Sequence, residues 1–200
     1  MQPAMQEADR VDPEIDPGQG WMLEFQRGDD AAFQRLVLHY GERVAAFFRR
    51  AGADGASAED LAQEAFLRVA RARDRYEPSA KFSTWLHQIV ARIAMNEGTR
   101  NRWRRAQAAP ELREERRNDP AESASLAEMK ERVRDAVASL PEPQRTALLL
   151  HRFEGCSYDE VGAALSLSLP AVKSLLFRAR ESVKERLLPL VSDEVNHGTR

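Results

Sequence analysis

The segment Ser157–Lys184 constrains the fold most, because its residue spacing predicts two short helices joined by a tight turn. Ser157 and Glu160 form a capping box, in which the hydroxyl and the carboxylate each satisfy a free backbone N–H at a helix start. Apolar residues then recur on one helical face until Ser166–Ser168 interrupts the pattern. Pro170 fits the first turn of the next helix, where a missing N–H costs nothing.

The second of these helices is predicted to be apolar inside and basic outside. The inward set is Val172, Leu176 and Ala179, and the outward set is Lys173, Ser174, Arg178 and Arg180. A short helix, a turn and a basic helix form the arrangement that enters the major groove of DNA. The sequence therefore predicts a helix-turn-helix that binds DNA.

The net charge of −2 over 200 residues conceals a segregation of charge. Residues 1–20 carry a net charge of −4, whereas residues 92–105 carry +4 and residues 168–188 carry +3. Two basic patches on an otherwise acidic chain would allow it to contact nucleic-acid phosphates at two separate places. The alternative is two solvated helix ends, since basic last turns also complement helix dipoles.

The pattern along the chain predicts an all-α fold of two small helical domains joined by a flexible linker. Asp29 or Asp30 is expected to cap one helix of the first domain and Ser57 the next. No stretch alternates between apolar and polar residues as a strand does. The expected parts are a disordered acidic tail over 1–20, a first domain over 21–105, a linker over 106–123, the helix-turn-helix domain over 124–190, and a C-terminal tail over 191–200.

Composition narrows the function classes. Hydrophobic residues make up 42% of the chain and charged residues 31%, which is typical of a soluble globular protein. No apolar run approaches about eighteen residues, so no membrane insertion is expected. The N-terminus lacks the pattern of a secretory signal, so a cytoplasmic location is expected.

Chemistry at a catalytic or metal centre is not expected either. The single cysteine, Cys156, excludes an intramolecular disulfide framework and a cysteine-based metal cluster. The four histidines are scattered and none is placed by sequence pattern to activate Cys156. Glycine loops that cradle phosphates are absent. We therefore expect no enzyme activity, no metal and no cofactor.

Two motifs in this order resemble those of bacterial sigma factors, specifically the short extracytoplasmic-function (ECF) group that keeps two domains. The first motif comprises Asp60–Val69, with the sequence DLAQEAFLRV, and Phe82–Ile89, with the sequence FSTWLHQI. The second runs from Leu140-Pro141 through Ser157-Tyr158 to Arg178-Ala179-Arg180. The resemblance covers about residues 25–105 and 125–188. It implies a transcription initiation factor that binds core RNA polymerase and promoter DNA under the control of an anti-sigma factor.

The resemblance implies that the helix Asp60–Ala72 binds the clamp helices of the largest polymerase subunit. Its spacing places a mixed polar and apolar face opposite Leu61, Ala65 and Val69. A solvated face with one exposed leucine is the alternative. The implied polymerase-binding residues are Asp60, Gln63, Glu64, Leu67 and Arg71.

By the same resemblance, the third helix recognises and opens the minus-ten element of the promoter. Stacking of an unpaired base on an aromatic ring contributes roughly 1–3 kcal/mol. The loop Tyr76–Lys81 would form part of the pocket for an extruded base, and Trp85 is either a stacking platform or a core residue. The implied minus-ten contacts are Lys81, Trp85, Gln88, Arg92, Asn96, Arg100 and Arg102.

The helix-turn-helix would read the minus-thirty-five element. Lys173, Ser174 and Arg178 would face the bases, with Arg180 and Lys184 on the phosphate backbone. Family members often have glycine where Ser166 stands, which predicts a different backbone conformation for the turn.

A stand-alone dimeric helix-turn-helix regulator is the competing interpretation. It would bind a palindromic site without polymerase.

Overall fold

The computed structural model describes residues 16–107 and 124–197, with side chains in 16–96 and 129–188. Within those residues the fold is all-α and contains no strand, as the sequence predicts. A single turn of 3₁₀-helix spans Arg73–Arg75. The α-helices are α1 (Gly18–Gln26), α2 (Asp30–Arg50), α3 (Gly55–Arg71), α4 (Phe82–Gln107), α5 (Ala124–Ala138), α6 (Glu142–Arg152), α7 (Tyr158–Leu165) and α8 (Leu169–His197).

The first four helices pack around large apolar side chains, among them Leu36, Phe47 and Phe82, each at most 1% exposed. Asp29 caps α2 by accepting the N–H of Ala31 at 2.9 Å, so one of the two expected caps is confirmed. The expectation for α3 is wrong. Its cap is Asp54, whose carboxylate accepts the N–H of Ser57 itself at 2.7 Å.

Helix α1 begins at Gly18, inside the span over 1–20 that the sequence predicts to be disordered. Burial explains the difference, because Met22 and Phe25 of α1 are 0% and 6% exposed. Gly18 itself packs so closely that an added Cβ would lie 2.4 Å from Phe82 Cδ1. Residues 1–15 lie outside the described part of the chain.

In the second unit, α6, α7 and α8 bury Leu150, Val161 and Leu176 completely. The capping box of Ser157 and Glu160 is present at the start of α7, as predicted. Ser166 adopts the left-handed conformation, with φ 57° and ψ 45°. The turn therefore has the backbone geometry that glycine favours, and the expectation of a different one is wrong.

Two expected boundaries also change. Helix α8 continues through Pro189 to His197, whereas the sequence predicts an end at Leu187–Pro189 and a tail over 191–200. Proline interrupts one backbone hydrogen bond, and the helix on either side persists here. Helix α4 includes residues 106 and 107 of the expected linker over 106–123, and residues 108–123 lie outside the described chain.

The two helical units pack against each other, with α4 in contact with both α6 and α7. Buried residues of both units form one continuous hydrophobic cluster. Among the described helices, no single one is long and apolar enough to cross a membrane. Helix α7 with Leu169–Leu188 meets the length and composition criteria only as a pair bent by 100°.

Candidate nucleic-acid interface

Helix α8 carries the predicted helix-turn-helix residues on its solvent side. Val172, Leu176 and Ala179 are each 0% exposed, as the spacing predicts. The opposite side of the helix holds the candidate contacts, and all of them are exposed: Lys173, Ser174, Arg178, Arg180 and Lys184. Arg180 also donates a hydrogen bond to the hydroxyl of Tyr158 at 3.3 Å, which links it to the start of α7. The surface is therefore basic and free of packing contacts at its centre.

The turn before α8 is held by close backbone contact with α7. The N–H of Leu167 donates to the carbonyl of Gly162 at 2.9 Å. A Cβ on Gly162 would lie 2.9 Å from the carbonyl oxygen of Leu167, closer than such atoms normally approach. The absence of a side chain at Gly162 therefore sets how near the turn lies to α7, and hence the direction in which α8 leaves it.

A second candidate surface lies along α4. Lys81, Arg92 and Asn96 are exposed, whereas Gln88 is half-buried. The side chains of Arg100 and Arg102 lie outside the described residues, although both are on the helical part of α4. Positions 85, 88, 92 and 96 recur at helical spacing and so share one side of the helix.

Trp85 is half-buried and belongs to an aromatic cluster at the start of α4. Its ring centroid lies 5.0 Å from that of Tyr76 and 5.7 Å from that of Phe82. Both expected roles of Trp85 are compatible with this position, because one edge packs on the core and part of the ring stays accessible. Tyr76 is 4% exposed, and its hydroxyl has no hydrogen-bond partner among the described residues.

A third candidate surface lies on α3, away from its buried face of Ala65 and Val69. Asp60, Gln63 and Arg71 are exposed, and Leu67 is 51% exposed. Glu64 is partly covered because it forms an ion pair with Arg68 at 2.8 Å. The surface thus combines an exposed leucine with charged and amide side chains.

The contact between the two units includes a group of polar side chains beside the shared hydrophobic cluster. We call this group the seam. It consists of Arg43, Thr84, His87, Glu154, Cys156 and Glu160. Glu154 lies 3.1 Å from the Arg43 guanidinium and 3.5 Å from His87 Nε2, and its side chain is 5% exposed. Thr84 donates a hydrogen bond to Glu160 at 3.0 Å. Burial tends to raise the pKa of Glu154, but the hydrogen bond from His87 and the charge of Arg43 outweigh it and hold that pKa below its ordinary value.

Cys156 lies in the seam, with its sulfur 3.2 Å from His87 Nδ1. Sequence spacing could not predict this neighbour, which is 69 residues away. Burial, with the nearby carboxylates of Glu160 and Glu154, raises the pKa of the thiol to about 12. The histidine does not make the thiol reactive, because nucleophilic cysteines are thiolates.

The N-terminal part of the chain supplies contacts that sequence reasoning missed. Asp16 accepts hydrogen bonds from the N–H of Ser83 at 2.8 Å and from the hydroxyl of Tyr40. Gln26 donates to the carbonyls of Arg73 at 2.7 Å and Tyr76 at 2.8 Å. No sequence signal points to these pairs, because the partners lie 24 to 67 residues apart along the chain.

Two family models match the chain. The model described as "Sigma-70 region 2" matches residues 36–105, and the model described as "Sigma-70, region 4" matches residues 130–183. The first match spans α3 and the described side chains of α4, and the second spans the helix-turn-helix.

Curated relatives extend the similarity over most of the chain. The RNA polymerase sigma-H factor of Pseudomonas aeruginosa is 32% identical over 84% of this chain and 92% of its own length. The ECF RNA polymerase sigma-E factor of Escherichia coli K12 is 30% identical over 83% of this chain and 92% of its own.

Two solved structures share the fold. CnrH, in complex with the cytosolic domain of CnrY, superposes with a TM-score of 0.65 at 24% identity, over 86% of this chain and 97% of CnrH. The sigma factor RpoE of Bartonella quintana, in complex with the anti-sigma factor NepR, superposes with a TM-score of 0.60 at 25% identity, over 78% of this chain and 96% of RpoE.

Proposed function

The chain belongs to the ECF RNA polymerase sigma factors of the sigma-70 family, and from that premise we propose how its surfaces divide the work of initiation. A protein of this family is a transcription initiation factor that binds core RNA polymerase and directs it to specific promoters. The chain acts by binding rather than by chemistry, in the cytoplasm where polymerase is found.

The outer side of α8 reads the minus-thirty-five element. The observation that carries this assignment is the division of α8 into a fully buried apolar side and an exposed basic side. Lys173, Ser174 and Arg178 face the bases of the major groove, and Arg180 and Lys184 contact phosphates. An arginine that contacts guanine through two hydrogen bonds contributes roughly 1–3 kcal/mol of discrimination, whereas a phosphate contact adds affinity for any sequence.

The exposed side of α3 binds core polymerase. Leu67 supplies the apolar contact, and Asp60, Gln63, Glu64 and Arg71 surround it with groups that can pair with charges on a partner helix. A half-exposed leucine inside a polar ring has the composition of a small interface core with a polar rim.

The exposed side of α4 and the loop that precedes it bind the minus-ten element. Arg92 and Asn96 lie along one side of the helix with Trp85 near its start, so the phosphates and an unpaired base can be held together. Gln88 lies between them, and Lys81 stands at the end of the loop. Arg100 and Arg102 belong to the same proposed set of minus-ten contacts.

We also propose control by an anti-sigma partner that covers both helical units. The similarity to RpoE, which was solved in complex with an anti-sigma factor, supports this. Purification of the chain from cells under non-inducing conditions tests it. Recovery of the free chain without a stoichiometric inhibitor contradicts it.

The polymerase surface is tested by Leu67→Asp, with Leu38→Asp as the matched control. Leu38 is an exposed leucine on α2, outside the proposed surface. A charge at position 67 should weaken core binding by at least about a hundredfold at every promoter, because the aspartate loses its hydration in the interface. The measurements are the affinity for purified core enzyme and run-off transcription on a library of promoters. Equal affinity of Leu67→Asp and the parent protein contradicts the assignment.

Arg178→Ala belongs to the same experiment. It should reduce transcription about tenfold at promoters with a good upstream element and leave core binding unchanged, because one base contact is lost. A uniform loss at all promoters contradicts the assignment of Arg178 to base reading. Binding of the isolated chain to a palindromic site without polymerase would support the dimeric-regulator alternative instead.

A further inference from the structure

The loop between α3 and α4, residues 76–81, is exposed along most of its length. The side chains at positions 77–81 are all exposed, so packing does not hold this part of the loop in place. Its own backbone contributes a short-range hydrogen bond from the N–H of Ser79 to the carbonyl of Glu77 at 2.8 Å. A loop with so few local restraints needs support from elsewhere to keep one conformation.

Helix α1 supplies part of that support through two glutamines. The amide of Gln26 donates hydrogen bonds to two backbone carbonyls at the entry to the loop, those of Arg73 at 2.7 Å and Tyr76 at 2.8 Å. The amide of Gln19 donates to the carbonyl of Pro78 at 3.2 Å, near the middle of the loop. The acceptors in these hydrogen bonds are backbone carbonyls, so the bonds do not depend on which side chains the loop carries. They restrain the backbone path of the loop.

Asp16 restrains the exit of the loop. Its carboxylate accepts the N–H of Ser83 at 2.8 Å, in the first turn of α4, where no partner within the helix is available. The same carboxylate accepts the N–H of Gly18 at 3.0 Å and the hydroxyl of Tyr40. A residue 67 positions away in sequence therefore acts as the cap that a helix usually obtains from its neighbours.

Gly18 brings these groups within reach of the loop. A Cβ at this position would lie 2.4 Å from Phe82 Cδ1 and 2.7 Å from the hydroxyl of Tyr40. The start of α1 therefore packs directly on the first residue of α4. Entry, middle and exit of the loop are each tied to the segment 16–26, which none of the sequence motifs includes.

We propose that Asp16, Gln19 and Gln26 are positioning residues for recognition of the minus-ten element, because they hold the loop and the start of α4 in the conformation that receives an unpaired base. The inference rests on the proposed function, in which this loop and Trp85 hold the opened strand. A loop that is already ordered loses less conformational freedom when it binds, so the support raises affinity for the correct base without touching DNA.

Gln26→Met tests the proposal, with Gln34→Met as the matched control. Methionine keeps the length of the side chain and removes both donors, and Gln34 is an exposed glutamine on α2. The readout is the ratio of initiation rates on a preferred promoter and on the same promoter with one substituted minus-ten base. We expect that ratio to fall about tenfold in Gln26→Met and to stay at the parent value in Gln34→Met.

Three further measurements separate positioning from stability. Core affinity and the unfolding midpoint are measured for both variants, and amide hydrogen exchange over residues 76–83 reports order in the loop. Faster exchange in the loop with unchanged core affinity supports positioning. Gln19→Met removes one exposed hydrogen bond, to the carbonyl of Pro78. It should give a smaller change in the same direction and leave the unfolding midpoint at the parent value.

The outcomes also distinguish this inference from the proposed function. If Gln26→Met and Gln19→Met discriminate between minus-ten bases as well as the parent protein does, positioning is overturned and the proposed function stands. A loss of activity in equal proportion on both promoters, with a lowered unfolding midpoint, also overturns it, because the contacts would then serve stability alone. If the parent protein starts no RNA synthesis with core enzyme, the proposed function and the positioning inference are both overturned.

Discussion

The carboxylate of Asp16 connects three parts of the first helical unit through hydrogen bonds. It joins the start of α1, the hydroxyl of Tyr40 and the first turn of α4. Burial tends to raise the pKa of Asp16, but the hydrogen bonds from Tyr40, Ser83 and Gly18 outweigh it and lower that pKa below the ordinary value of 3.8. The ionised form is therefore the one that the folded chain prefers.

This preference predicts the pH dependence of an Asp16→Asn variant. A lowered pKa in the folded state means that the carboxylate stabilises the fold above about pH 4, and that this contribution is lost as the pH falls through the lowered value. We expect Asp16→Asn to reduce the free energy of unfolding by about 1–2 kcal/mol at pH 7 and by less at pH 3.

Denaturant unfolding at the two pH values measures the difference, with Glu59→Gln as the control because Glu59 is exposed and lies beyond the first turn of α3. An effect of Asp16→Asn that is the same at pH 3 and pH 7 would contradict the assigned role of the charge.

At the scale of single elements, the helix-turn-helix depends on a close approach between α7 and its turn. A methyl group at position 162 would meet the carbonyl oxygen of Leu167 at 2.9 Å. Gly162→Ala should therefore destabilise the second unit by about 1–3 kcal/mol and tilt α8 away from its present direction. Thermal unfolding and affinity for upstream promoter DNA in the polymerase complex measure both effects.

Gly20→Ala is the control for this change. Gly20 lies in α1, and a Cβ there would meet nothing within 4 Å. Alanine in an open helical position should stabilise the chain by about 0.5–1 kcal/mol. If Gly162→Ala behaved like Gly20→Ala, the close approach would not be a constraint on the turn.

Most elements of the fold could be predicted from sequence because their signals are local. The capping box of Ser157, the cap at Asp29 and the buried stripe of α8 each lie within one or two helical turns. The sequence predicts the first helical domain only from residue 21, and α1 begins three residues earlier, at Gly18, because burial against α2 and α4 outweighs the poor helix propensity of Pro17 and Gly18. The cap of α3 was misplaced because Asp54 and Ser57 offer equivalent side chains three residues apart.

The candidate surfaces likewise contain some features that local sequence predicts and others that depend on the tertiary fold. Exposure of Leu67 and of Arg178 follows from helical periodicity, so both could be predicted. The support of the loop by Asp16 and Gln26, and the placement of Cys156 beside His87, could not. These contacts join residues 47 to 69 positions apart, and only the tertiary fold brings them together.

At the scale of the whole molecule, the described chain is closed, with α4 packed on α6 and α7. Promoter elements ten and thirty-five base pairs upstream lie about 85 Å apart along straight duplex, at roughly 3.4 Å per base pair. A compact chain of 200 residues is expected to have a radius of gyration of about 16 Å, well short of that distance. In the proposed function, binding at both elements therefore requires the two units to separate.

Glu154→Gln is predicted to favour separation, because the neutral side chain loses its charge interaction with Arg43 and His87. Cys156 is the one cysteine of the chain and is 4% exposed in the seam, so its labelling by a thiol reagent, divided by the labelling rate of the same variant unfolded in denaturant, reports opening. We expect labelling about tenfold faster than in the parent protein, which corresponds to about 1.4 kcal/mol.

The control for this experiment is Glu59→Gln, an exposed position on α3. It should leave the labelling rate unchanged. Equal rates in Glu154→Gln and the parent protein would mean that the seam does not hold the two units together.

The carboxylate of Glu160 belongs to the seam and to the capping box at once: one oxygen accepts from Thr84, and the other from the N–H of Ser157 at 2.8 Å. Parting the two units removes the first bond and leaves the second intact. The start of α7 therefore keeps its capping box when the two units separate, and its first free N–H groups stay bonded without help from the other unit.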